Sequence, residues 1–380
     1  MKSYQRWIWQ LPEWPALAFD AQRIQAALAA ARTSQGILLG KAEAIGLEGL
    51  QPHIRDSLTQ EALTTSAIEG EKLDPESVRS SVARRLGLDT SGAPVREGRR
   101  NIEGLIDVLQ DATLNTDAPL TLERLCSWHA ALFPTGFSGM QRIDVGALRS
   151  VPMEIVSGAV GHSKVHYAAP PAEGLAEQVD SFLNWFNQTQ PKVGSQPMDG
   201  LVRAAVAHLW FETLHPFDDG NGRISRAVGD MALARAEGSA QRFYSLSAQI
   251  QRERKQYYEQ LEATQRGSMD VTPWLQWFLA CLLRAVQGAD GLLVGVLDKA
   301  KFWQRWADTP MNARQTLVLN RVLDGMDGKL TNAKWAAIGK CSADTALRDI
   351  NDLLARGVLR RLEGGGRNTA YGLVRSKDPR

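Results

Sequence analysis

The chain predicts a mainly α fold: a helical core carrying one small β-hairpin, then a C-terminal unit of three helices and a second hairpin. Three observations lead there. Apolar residues recur at helical spacing through most of the 380 residues. That texture gives way to strand-like runs around Val151, Met153, Ile155 and Val165, His166, Tyr167. Near the end, Gly364, Gly365 and Gly366 separate two short apolar stretches, 357–362 and 370–373.

Taken in order, Trp7, Trp9 and Trp14 with Pro12 and Pro15 make an extended start that packs on the body through its aromatic rings. From Asp20, the residues Ile24, Leu28 and Ala31 keep helical spacing up to Gly36, and a second helix covers 57–68. Helices follow over 99–109 and 122–132. The first hairpin has a long tip with Ser157, Gly158 and Gly161, and Pro170-Pro171 ends it. Helices are then expected over 172–187, 200–214, 223–236, 247–265 and 273–286, with a connecting helix to Trp306 and the last three from Pro310 onward.

This length suits two or three compact units, and the expected boundaries are 1–104, 105–287, 288–307 and 308–380. Lys+Arg 44 against Asp+Glu 42 leaves a net charge of +2, so any nucleic-acid face must be local. Cys126, Cys281 and Cys341 are too scattered for a zinc knuckle or a disulfide framework, which fits a reducing cytoplasm. The N-terminus lacks the apolar core of a signal peptide, and no apolar run is read as long enough to span a membrane. The expectation is a cytoplasmic protein with no membrane partner.

The most informative stretch is His215-Pro216-Phe217-Asp218-Asp219-Gly220-Asn221-Gly222-Arg223-Ile224-Ser225-Arg226. A Gly-Asn-Gly bend leading into a helix turns consecutive backbone N–H groups toward a bound anion, and the helix dipole adds positive potential. Arg223 and Arg226, at i and i+3, can bring two guanidinium groups to the same side. Asp219 beside the bend can hold a magnesium ion that bridges phosphate oxygens. His215 can accept a proton from an attacking hydroxyl, since an imidazole's ordinary pKa of about 6.5 leaves it neutral at working pH.

This string resembles the signature of the Fic-domain adenylyltransferases, His-Pro-Phe-x-(Asp/Glu/Asn)-Gly-Asn-Gly-Arg-x-x-Arg, at every specified position. The resemblance covers about 105–287, with the helical region before it. It implies the Fic fold, a helical core with a hairpin flap, and transfer of AMP from ATP to a Tyr, Thr or Ser hydroxyl of a target protein, the chain itself included. By resemblance His215 is the base, Asp219 holds Mg2+, and the backbone of Gly220, Asn221 and Gly222 holds phosphate oxygens. Arg223 then meets the β-phosphate side and Arg226 the γ-phosphate. Asp218 takes the variable position without a role, and Phe217 anchors the loop in the core. Lys164, Val165 and His166 fall on the flap that docks the target as an added strand, with His166 read as facing target or solvent. Tyr257-Tyr258-x-x-Leu261-Glu262 resembles the helix that closes the adenine pocket, which assigns Tyr258 to the nucleotide. The family often has Asn where this chain has Gln265, and a plain amphipathic helix remains the other reading.

Upstream, Thr65-Ser66-Ala67-Ile68-Glu69-Gly70 matches the family's inhibitory pattern, (Ser/Thr)-x-x-x-Glu-(Gly/Asn). A Glu69 carboxylate paired with Arg226 would occupy the fork that the γ-phosphate needs. Thr65, one turn earlier, would hydrogen-bond on the same face. Three further histidines, His162, His166 and His208, lack a metal-ligand spacing.

The C-terminal order of elements looks like a winged helix-turn-helix. Lys340, Arg348, Arg356, Arg360, Arg361 and Arg367 would put positive charge on its recognition helix and wing. It serves either DNA binding or protein contacts such as a homodimer, and the sequence leaves both open. Two other functions also stay open. One is a DNA-binding regulator whose core is a sensor or scaffold. The other is an enzyme that removes AMP or transfers a different phosphate-containing group. The target protein is not legible.

Overall fold

The structure, a computed structural model, describes residues 6–88, 100–157, 164–188, 198–239, 241–362 and 369–374. The chain divides into two compact units, Met1–Gly36 with Gln51–Gly288, and Ile37–Leu50 with Ala289–Arg380. The helices in order are α1 (Ala21–Ile45), α2 (Leu47–Ile68), α3 (Pro75–Arg85), α4 (Arg100–Leu114) and α5 (Leu122–Leu132). Four short strands follow, β1 (Phe137–Ser138), β2 (Gln141–Arg142), β3 (Glu154–Ser157) and β4 (Lys164–Ala168). Then come α6 (Leu175–Asn187), α7 (Gly200–Leu214), α8 (Asn221–Glu237), α9 (Leu246–Arg252), α10 (Arg254–Gln265) and α11 (Thr272–Arg305).

The first unit is built around α7 and α8. Helix α7 is apolar on every face, which is the pattern of a helix surrounded by others, and nearly all of its residues are buried. Asp199 caps its start by accepting from Leu201 N. Helix α8 packs along it and is in turn covered by α4, which lies on α5. The approach of α4 to α5 depends on Gly104. A Cβ built there would lie 1.8 Å from the Ala131 carbonyl oxygen.

Strands β3 and β4 pair antiparallel, Ile155 opposite Tyr167 and Ser157 opposite Lys164, with a bulge between Ile155 and Val156. The N-terminal tryptophans fasten this hairpin. Trp7 meets Tyr167 edge-on at 5.2 Å, and Trp9 Nε1 donates to Ala168 O at 2.8 Å. Tyr167 OH donates to Thr213 O of α7. The tip at 158–163, with Gly158, Gly161 and His162, lies outside the described residues.

Several elements differ from the sequence expectation. Helices α1 and α2 run further toward each other and meet at Gly46, whose φ of +79° allows the reversal. The small pair β1–β2 and helix α3 are additions, and α3 opens on a Pro75 capped by Asp74. The expected helix 247–265 is two helices that break at Glu253. That carboxylate is drawn to Arg284 Nε and Nη2, both at 2.6 Å. Contrary to the reading of the sequence, one helix, α11, is long and apolar enough to cross a membrane by length and composition alone. The apolar residues Trp274, Leu275, Phe278, Leu279 and Leu282 of this helix are buried.

The second unit adds α12 (Ala313–Leu323), β5 (Leu330–Thr331), α13 (Asn332–Gly339), α14 (Ala343–Ala355), β6 (Leu359–Arg361) and β7 (Ala370–Leu373), with strands in the order β5-β7-β6. Its core gathers Val318, Leu319, Trp335, Ile350, Leu353 and Tyr371. Asp349 crosses beneath it, accepting from Arg314 Nε at 2.6 Å and Trp335 Nε1 at 3.2 Å. The residues 363–368, which include Gly364 to Gly366 and Arg367, lie outside the described residues.

An exposed glycine-to-alanine change within a helix ordinarily stabilises by about 1 kcal/mol. Gly104→Ala is expected to do the reverse, lowering unfolding free energy by about 2 kcal/mol or more, because α4 must move off a backbone carbonyl. Denaturant unfolding checks this. A variant as stable as the parent would contradict the close approach of α4 and α5.

Candidate active site

Helix α7 ends at His215, which takes the left-handed conformation (φ 48°, ψ 58°) while its N–H still closes the last turn onto Phe211 O at 3.0 Å. Such a backbone at a non-glycine residue needs support. Buried Arg149 supplies it. Its Nε donates to His215 O at 2.8 Å, its Nη1 to Val151 O at 3.0 Å and its Nη2 to Pro170 O at 2.5 Å. One guanidinium thus ties the base of the hairpin to the end of α7. The sequence reading missed Arg149, which has no local signal.

The following loop is closed by Asn221. Its side chain accepts from Phe217 N at 2.9 Å and donates back to Phe217 O at 2.7 Å. The Phe217 ring is buried and stacks on His129 at 4.4 Å. Gly220 has φ +76°, and a Cβ on it would meet Phe133 Cε2 at 2.8 Å, so only glycine fits. Asp218, left without a role by the sequence, accepts from Asp144 N at 3.0 Å. Asp219 accepts from Gly220 N at 2.6 Å and from the Ser138 hydroxyl.

Arg226 is fully buried. Its Nε donates to Thr65 Oγ1 at 2.7 Å, and its Nη2 donates to Thr65 O at 2.9 Å and to Glu69 Oε1 at 2.7 Å. Its Nη1, also buried, has no hydrogen-bond partner. Burial by itself would lower the guanidinium's pKa, but the charges of Glu69 and Glu212 outweigh it and raise it above the ordinary value. The Glu69 carboxylate also sits where a side chain at Gly222 would be: a Cβ there would lie 2.1 Å from Glu69 Oε1. Thr65, Glu69, Gly222 and Arg226 therefore come together at the start of α8.

A second carboxylate accompanies the first. Glu71 Oε2 lies 3.1 Å from Arg223 Nη1, and its Oε1 accepts from Asn101 Nδ2 at 3.1 Å. The Arg223 guanidinium lies over the Phe133 ring, 5.0 Å from its centre. Glu71 was not singled out from the sequence, where it follows Gly70 as an ordinary surface acid. A cleft of about 780 Å³ opens here, lined by Glu69, Glu71, Ser138, Asp219 and Arg223 among others. That size is within the usual range for a small-molecule site.

The remaining candidates lie around α10. Tyr258 OH donates to Ile68 O at 3.2 Å, at the end of α2, with Arg254 over its ring. His166, read from the sequence as facing target or solvent, is half-buried and its ring nitrogens have partners. Its Nδ1 lies 2.8 Å from Glu262 Oε2 on α10 and its Nε2 2.6 Å from Ser157 Oγ. Lys164 Nζ is 3.7 Å from the same carboxylate, and Arg266 donates to Val165 O at 2.8 Å.

Residues 119–233 match the Fic/DOC family, and residues 7–88 match a domain of unknown function (DUF4172). The chain therefore carries a Fic/DOC family domain. It is 32% identical over 119 residues to uridine 5'-monophosphate transferase of Xanthomonas campestris pv. campestris (strain 8004), covering 31% of this chain and 22% of that protein. It is 20% identical over 233 residues to protein adenylyltransferase Fic of Nematostella vectensis, covering 61% of this chain and 49% of that one. The chain thus spans half or less of the length of these relatives. Among solved structures, a Fic family protein from Desulfovibrio desulfuricans G20 superposes with a TM-score of 0.54 at 20% identity, over 93% of this chain and 97% of that one. Fic-1 (aa134–508) from C. elegans gives 0.52 at 18%, over 73% and 74%. At these identities the likeness establishes the fold, a mainly helical Fic fold.

Behind the site, His208 is fully buried and its Nε2 lies 3.0 Å from Tyr257 OH. Burial lowers its pKa to about 4. Between pH 6.5 and 4 the unfolded chain binds this proton and the folded chain does not, so its contribution to stability is lost as pH falls through that window. His129, lowered to about 4 chiefly by burial, acts in the same sense, whereas Asp230, raised to about 7 by burial, acts in the opposite one. The clean comparison is between variants. Going from pH 7 to pH 5, His208→Gln is expected to lose about 2 kcal/mol less unfolding free energy than the parent. Parallel curves for the two proteins would contradict a buried neutral His208.

Proposed function

We propose that this chain is a protein adenylyltransferase that moves AMP from ATP to a Tyr, Thr or Ser hydroxyl of a target protein, and that Glu69 holds it inhibited. The supporting observation is the Glu69 carboxylate lodged against Gly222 and Arg226, at the helix start where a phosphate would bind. A carboxylate settled in that position has the charge and hydrogen-bond acceptors of the anion it would exclude.

In the proposed reaction the hydroxyl oxygen attacks the α-phosphorus, the bond from that phosphorus to the bridging oxygen breaks, and pyrophosphate leaves. The hydroxyl proton passes to Nε2 of His215, because Nδ1 is turned to Glu212, 3.6 Å from its Oε2. Arg226 and Arg223 hold the terminal phosphates once Glu69 and Glu71 withdraw, and the N-terminal N–H groups of α8 receive the remaining oxygens. Asp219 offers an oxygen donor open to the cleft, and no cluster of three or more metal-binding side chains occurs among the described residues. That fits Mg2+, which is commonly held by one or two carboxylates with substrate phosphates. Bound there, the ion would neutralise phosphate charge. Tyr258, next to Ile68, is assigned to the nucleotide side, and Lys164, Val165 and His166 to the flap that holds the target. Modification of the chain itself is part of this reading.

The likeness to a uridine 5'-monophosphate transferase favours a second reading in which UTP is the donor. The C-terminal unit, read as a winged helix-turn-helix, would bind duplex DNA or a second protein. If DNA, the full chain binds a short duplex at low salt and loses it steeply as salt rises. No binding at low salt would leave protein contact as its role.

Glu69→Gly is expected to raise incorporation of AMP from α-labelled ATP, into itself or a target, by about tenfold or more, the ratio that 1.4 kcal/mol of relieved competition gives. Adding Arg226→Ala or His215→Ala removes the gain, and so does EDTA. Labelling that persists with His215→Ala would sink its role as base. Intact mass after incubation with ATP or with UTP separates adenylyl from uridylyl transfer.

A further inference from the structure

We propose that Glu212 is the positioning residue of the reaction, a buried carboxylate that fixes the His215 ring through Nδ1 and stabilises the imidazolium formed when Nε2 takes the target's proton. The proposal rests on the adenylyltransferase reading above and assigns a role to a residue outside the signature string.

The placement follows from the local backbone. Glu212 is on the last turn of α7, three residues before His215. The left-handed turn at His215 folds the ring back over that turn. Nδ1 then lies 3.6 Å from Glu212 Oε2 and 3.4 Å from Glu212 O. The other carboxylate oxygen, Oε1, accepts from Ser225 Oγ at 2.8 Å on α8 and from Tyr257 OH at 3.4 Å on α10. Three helices therefore converge on one carboxylate that is 7% exposed. Ser225 occupies an unspecified position of the signature, between the two arginines, and its hydroxyl serves this contact.

An ionised carboxylate buried this deeply is costly unless it is paired and hydrogen-bonded. Among the described residues the one basic side chain recorded within 4 Å of Glu212 is the His215 imidazole, at 3.6 Å. Burial would raise Glu212's pKa, but the hydrogen bond and charge of His215, with the charges of His208 and Arg226, overcome it and hold it down at about 2. His208, itself near 4, is neutral at working pH, so Arg226 supplies the standing positive charge. Tyr257 and Tyr167 also face this carboxylate, and Arg149 holds the His215 carbonyl. An apolar residue of similar size would pack here without that cost. What it would lack is a fixed negative charge behind the ring that must become positive.

During transfer the target's O–H bond breaks, its proton goes to Nε2, its oxygen bonds the α-phosphorus and pyrophosphate leaves. Glu212 keeps its charge throughout. It acts through His215 and touches neither ATP nor target, as an orienting carboxylate does in other acid–base dyads.

The test is Glu212→Gln, which is nearly isosteric and can still accept from Ser225 and Tyr257. In the Glu69→Gly background it is expected to lower kcat by about 10²-fold or more with KM for ATP changed little. Independently of any activity, NMR titration of the His215 ring in the full chain should show it titrating at least one pH unit lower in Glu212→Gln than in the parent. A residue that only packs α7 would move the unfolding midpoint and leave that titration in place, and this would overturn the proposal. If the titration moves but Glu69→Gly transfers no nucleotide, Glu212 positions His215 and the adenylyltransferase reading fails. Should Glu212→Gln not fold, nitrogen shifts of the parent's His215 decide, because a neutral ring protonated on Nε2 instead of Nδ1 would overturn the assignment.

Discussion

The buried guanidinium of Arg226 is the group on which the arrangement depends. A charge this deep needs partners at every turn. Its present partners, the Thr65 hydroxyl and carbonyl and the Glu69 carboxylate, come from the last turn of α2 and the residue just after it. Removing α2's contribution would leave the charge buried and unpaired unless another anion replaced it. On the proposed reading that anion is the γ-phosphate of ATP. Carboxylate and phosphate then compete for the same fork, and the protein is inhibited because the internal competitor is always present.

The space for this competition comes from missing side chains. Gly222 leaves room for Glu69 over the start of α8, and Gly220 turns the chain tightly against Phe133. Asn221, between them, spends its side chain bonding the loop to itself at Phe217. The loop is therefore rigid before any ligand arrives, which lets its N–H groups act without reorganising. Glu71 extends the same principle to Arg223, so both arginines of the signature carry a carboxylate from the short stretch just after α2.

What could be read in the sequence was local. The motif from His215 to Arg226 declares its chemistry because residues close in the chain are close in space, and the apolar run over 200–214 is legible as a helix. Residues that act at a distance were silent. Arg149 reaches His215 across 66 positions, and Glu71 reaches Arg223 across 152. Neither has a neighbour in the chain that hints at the partner. Glu212 is a different case: three residues before His215, it was visible, but an acid on a helix is usually solvated and only burial sets it apart. The break at Glu253 was hidden for the same reason as Arg149, since the partner of that carboxylate, Arg284, lies on another helix. His166 reads as a surface residue of a strand until Glu262 is placed beside it.

The central claim is that Glu69 occupies the position of the terminal phosphate and no other part of the nucleotide. Calorimetric titration of the parent and of Glu69→Gly with ATP and with AMP tests it directly. The account predicts that the substitution tightens ATP binding about tenfold or more while AMP binding stays nearly the same. Equal effects on ATP and AMP, or no effect on either, would contradict it.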